Sequence, residues 1–149
     1  MLNFMKLIPC QNGEISANLK SDTMRTQNVD VLINEADQLL NSAVEELQRS
    51  EEDVTAYMVC YNSRQSIINY LTSYLLKNGV DLKEPVTMAN LMDQCRSLDD
   101  RFKLLDISQI FCRYDEDDEE YCLNVEKVSD CLRIAKQTRG IAVKETAVY

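Results

Sequence analysis

A chain of 149 residues, 45% hydrophobic and 28% charged, has the length and make-up of one globular domain with its own core. Its net charge of -9 excludes a chain-wide basic field for gripping nucleic acid, and the absence of histidine removes every Ser-His-Asp, Cys-His and histidine-based acid–base arrangement. Three glycines cannot build a phosphate-cradling loop, and the scarcity of Gly and Pro favours helices over an all-β fold.

Residues 1–27 show no sustained period and read as an arm or disordered tail, with Met24 a candidate alternative start. The opening "MLNFMKLIPC" imitates a lipoprotein signal, but its apolar run is short, Lys6 lies inside it, and Pro9 stands where a small residue belongs. No stretch approaches the roughly 20 apolar residues of a membrane helix. A cytoplasmic protein without membrane contact is expected.

From Asn28 a helical period begins, with Leu32, Ala36, Leu39, Leu40, Ala43, Val44 and Leu47 on one face and Glu35, Asp37, Glu45 and Glu46 opposite. "RSEED" breaks it, and Ser50 is the expected N-cap of the next helix. That second helix is long, with a stripe of Tyr57, Cys60, Tyr61, Ile67, Ile68, Leu71, Tyr74 and Leu75. "KNG" ends it, Gly79 supplying the left-handed cap. Thr87 caps a shorter helix carrying Met88, Leu91, Met92 and Cys95 on one side. Ser97 is read as the cap of a further piece of the third helix, with Leu98, Phe102, Leu105 and Ile110 inward. The last helix carries Tyr121, Val125, Val128, Cys131, Leu132 and Ala135, and closes at "QTRG". Residues 28–140 are therefore expected to form an all-α, antiparallel up-and-down four-helix bundle with a broken third helix, followed by a tail over 141–149.

Arg64 is the residue out of place, because it sits on the apolar stripe of the second helix. A buried guanidinium needs a carboxylate, an anionic ligand or an exit to water. Two readings follow: an internal salt bridge or snorkelling side chain, and an anion-binding residue assisted by Arg96 or Arg101 of "CRSLDDRF". Tyr57, Tyr61, Tyr70 and Tyr74 recur at helical spacing and read as core or dimer face rather than as a stacking platform for bases.

The acidic run "DEDDEE", Asp115 to Glu120, stands between Cys112 and Cys122. It has no central glycine for a calcium loop, and its adjacent carboxylates repel one another. Glu119 and Glu120 suit the positive N-terminus of the last helix, while Asp115, Glu116, Asp117 and Asp118 read as an exposed patch that would attract a basic partner. The six cysteines include no C-x-x-C pair, so zinc is not expected and Cys60, Cys95 and Cys131 read as buried reduced thiols. Neither a metal site nor a cofactor is anticipated.

The stretch "YNSRQSIINYLTSYLLKNGVDLKEPVTMANLMDQC", followed by "DDRF…IFCRYDEDDEEYCLNVEKVSDCLRIAKQTR", resembles the HEPN family of small helical domains. The likeness spans about residues 30–140: Arg64 early in a long helix, Leu75–Leu76, Gly79 at its end, Pro85 in the loop, and "TMANLM" opening the next helix. Thr87 stands where the family commonly has His, and Thr72 where a Lys is often found. Ribonuclease members depend on an Arg followed by a His, so that active site does not carry over. The resemblance implies a four-helix bundle, frequent dimerisation, and either nucleotide binding or pairing with a partner such as a nucleotidyltransferase-like protein. The expected function is a non-catalytic, homodimeric module that binds a partner protein or a nucleotide-like anion. The alternatives are a divergent ribonuclease or toxin component of a toxin–antitoxin system, and a purely structural oligomerisation bundle.

Overall fold

The computed structural model of the chain describes residues 13–50, 53–110 and 125–143, with side chains over 28–50, 53–108 and 127–143. Its elements are α1 (Gly13–Leu47), α2 (Ala56–Lys77), α3 (Met88–Leu98), two 3-10 turns (Asp100–Leu104 and Ile107–Ile110) and α4 (Val125–Ala142). No strand occurs among the described residues. The four helices pack on one another, with α2 in contact with α1, α3 and α4, and α1 also touching α4.

The centrality of α2 explains its composition. Twelve of its residues are buried, including Ala56, Val59, Cys60, Ile67, Tyr70, Leu71 and Leu75. Each large apolar side chain so buried contributes about 1.5–3 kcal/mol. The same helix buries Asn62, Ser63, Arg64, Ser66 and Ser73. Ser66 Oγ and Ser73 Oγ donate to the carbonyls of Ser63 and Tyr70, both at 2.8 Å, which satisfies the hydroxyls and leaves small side chains where neighbouring helices meet. A helix enclosed on most of its circumference does not show one clean apolar stripe. The stripe expected from the sequence is accordingly rotated: Tyr57 and Tyr61 lie at 44% and 39% exposure, while the polar positions between them and Ile67 are inside.

On α1 the buried positions are Val29, Ala36, Leu40 and Ala43, a narrow seam close to the expected face. The helix starts at Gly13, well before the expected Asn28, so the lack of an amphipathic period over 13–27 did not mean lack of helix. The N-cap of α2 is Thr55 and not Ser50. Ser50 instead donates from its hydroxyl to Asp53 Oδ2 at 2.7 Å within the preceding turn, and the Thr55 backbone N–H is received by Glu46 Oε2 at 2.7 Å.

Gly79 ends α2 as the sequence indicates. Its φ of 74° lies in the left-handed region. The Gly79 N–H donates to Leu76 O at 3.0 Å and the Val80 N–H to Leu75 O at 2.9 Å, the paired bonds of a Schellman cap. Thr87 Oγ1 accepts from the Asn90 N–H at 3.2 Å and starts α3, whose Met88, Leu91, Met92 and Cys95 are buried as expected. Ser97 lies inside α3, its hydroxyl donating to Asp93 O, and the cap of the following 3-10 turn is Asp99. Phe102 and Leu105 face inward, but Leu98 is 45% exposed. α4 runs through Gly140 to Ala142, two residues past the expected stop, and Ala142 is buried. A single glycine with no proline behind it does not end a helix whose next apolar residues still pack.

Candidate functional site

Arg64 is 1% exposed, among the most buried large side chains of the described structure. It sits between Ser63 and Ser66, both fully buried, on the turn of α2 where the core is most polar. A guanidinium so enclosed cannot snorkel to water, which removes one of the two structural readings. Arg64 is engaged by a partner in the fold, which favours internal compensation over an anionic ligand.

The other two candidate arginines are committed within the fold. Arg96 donates from Nη2 to Leu105 O at 2.6 Å and from Nε to Phe102 O at 3.4 Å, so it fastens the first 3-10 turn to α3. Arg101 grips Asp99 through Nη2 to Oδ2 at 2.6 Å and Nε to both oxygens at 3.1 Å, and its backbone N–H donates to Asp99 Oδ1 at 2.9 Å. Tyr74 Oη donates to the same Asp99 Oδ2 at 2.7 Å. Tyr74 lies ten positions beyond Arg64 on α2, about 15 Å along the helix axis. The structure therefore separates Arg64 from the Arg101 cluster along α2 and does not show the three arginines converging on one anion.

A second cluster of the same chemistry was not foreseen from the sequence. Tyr70 Oη, on a fully buried residue of α2, donates to Asp37 Oδ1 of α1 at 2.5 Å. Arg139 of α4 donates from Nε to Asp37 Oδ1 at 2.8 Å and from Nη2 to Oδ2 at 3.4 Å. One carboxylate thus ties three helices together. The sequence pattern places Asp37 on the outer charged face and Arg139 at a helix terminus. The available signal was the tyrosines: Tyr70 and Tyr74, one turn apart on a core helix, each bring a phenol that must find an acceptor when buried.

The electrostatics of both clusters point one way. The Arg139 hydrogen bond, opposed by partial burial, holds the Asp37 carboxyl below its ordinary range. Hydrogen bonds from the Arg101 side chain and backbone, with Tyr74, hold Asp99 far below it. Burial, then the hydrogen bond to a carboxylate, raises both Tyr70 and Tyr74. Burial and the nearby Asp99 charge push the Cys95 thiol up to about 12. Glu46 is lowered by the Thr55 backbone N–H, and Asp106 by the Ser108 hydroxyl. Every displaced group among the described residues moves away from neutrality, the opposite of what acid–base chemistry at physiological pH requires.

Cys60, Cys95 and Cys131 are buried, reduced thiols, as expected. No group of three or more carboxylates or thiols is placed to hold a metal ion among the described residues. No helix among them is long and apolar enough to cross a membrane. The partner-patch candidates Asp115, Glu116, Asp117 and Asp118, the carboxylates Glu119 and Glu120, and Cys10, Cys112 and Cys122 lie outside the described residues. Comparison with known proteins finds no matching family model, no matching curated protein and no matching solved structure.

Proposed function

We propose that this chain is a non-catalytic helical module that works by binding a partner protein, and that it does so as a homodimer. The observation that carries the proposal is the direction of the displaced ionisations. Asp37 and Asp99 are fixed as anions, Tyr70, Tyr74 and Cys95 as neutral groups, and Arg101 and Arg139 as cations. Such groups hold helices together and do not shuttle protons. The commitment of Arg96 to backbone carbonyls and of Arg101 to Asp99 counts against a nucleotide-like anion held by the three arginines, and leaves surface recognition as the better reading.

An antiparallel, up-and-down arrangement is part of this proposal. It is supported by the order of contacts between α1 and α2: Glu46 meets Thr55, while Asp37, further back on α1, meets Tyr70, further on along α2. A broken third helix is supported by the stop of α3 at Leu98 and the Asp99-capped 3-10 turn that follows. The HEPN-like kinship is a proposal of the same standing. It agrees with a four-helix module whose longest buried helix carries an arginine, and it draws no support from relatives.

The acidic stretch Asp115 to Asp118 supplies the charge for a basic partner, and Leu104, 81% exposed, supplies apolar surface for a second copy. Isothermal titration of the full chain with a panel of nucleotides is expected to show no heat of binding. Saturable binding of any nucleotide, lost on Arg64→Lys with the fold intact, would replace the partner-protein reading with the anion reading.

A further inference from the structure

We draw no further inference here: the strongest candidate, the open groove of about 370 Å³ between α3 and the loop after α2, lined by Val80, Lys83, Asn90, Gln94 and Leu98, has its Gln94 and Asn90 amides already bonded to the loop backbone, and nothing in the structure shows what covers its apolar side.

Discussion

Asp37 serves a tyrosine and an arginine with one carboxylate, and the two services have different costs of removal. Tyr70 is fully buried, so deleting its acceptor strands a phenol in the core, whereas deleting the phenol leaves Asp37 still paired to Arg139 near solvent. Asp37→Ala is therefore expected to destabilise by about 1–3 kcal/mol, and Tyr70→Phe by about 1 kcal/mol or less. Urea unfolding with an unchanged slope is the readout, and the reverse order would show that the tyrosine does not rely on Asp37. Arg64 is the other residue with a large stake. A guanidinium at 1% exposure persists only when its charge is compensated, so Arg64→Ala should cost about 3–5 kcal/mol, with Arg64→Lys recovering part of it because charge is kept and the planar fork is lost. Loss below about 1 kcal/mol in Arg64→Ala, by the same unfolding measurement, would mean that the charge is not matched inside the fold.

Two glycines behave oppositely at the scale of the helix. Gly79 has positive φ, so Gly79→Ala should destabilise by about 1–2 kcal/mol through backbone strain alone. Gly140 lies inside α4, and a Cβ added there meets nothing within 4 Å, so Gly140→Ala should stabilise by about 0.5–1 kcal/mol. Paired thermal melts of the two variants check both signs. The contrast also shows how far an element can be read from its residues. Gly79 announces a terminus because Lys77 and Asn78 precede it and an extended, proline-containing loop follows. Gly140 has basic residues before it too, but Ile141 and Ala142 continue the buried face. Local chemistry specified the Thr87 cap and the apolar side of α3, where one face meets the core and the other meets water. It failed on α2, because a helix surrounded by three others buries serines, an asparagine and an arginine as readily as leucine. It failed again on Asp37–Arg139, since the two residues stand 102 positions apart and neither is unusual in its own helix.

For the whole molecule, the displaced ionisations combine into a wide stability plateau. Asp37 and Asp99 are lowered in the fold, so the stability they add is present above their ordinary value of 3.8 and is lost as pH falls through their lower folded values. Tyr70 and Tyr74 are raised above 10.0 and Cys95 above 9.0, so their share is present below those values and is lost as pH rises past them. Urea midpoints should be nearly flat from about pH 5 to pH 8.5 and should decline on both sides, and a maximum confined to a narrow band near neutrality would point to a titrating group absent from this account. At the same scale lies the central claim, that the bundle is a binding module whose first partner is its own copy. Sedimentation equilibrium on the full chain tests it most directly. The account predicts twice the 17.2 kDa chain mass, falling to the single-chain mass in Leu104→Glu with the helical circular-dichroism spectrum unchanged. A wild-type protein that sediments at 17.2 kDa across the accessible concentration range would contradict it.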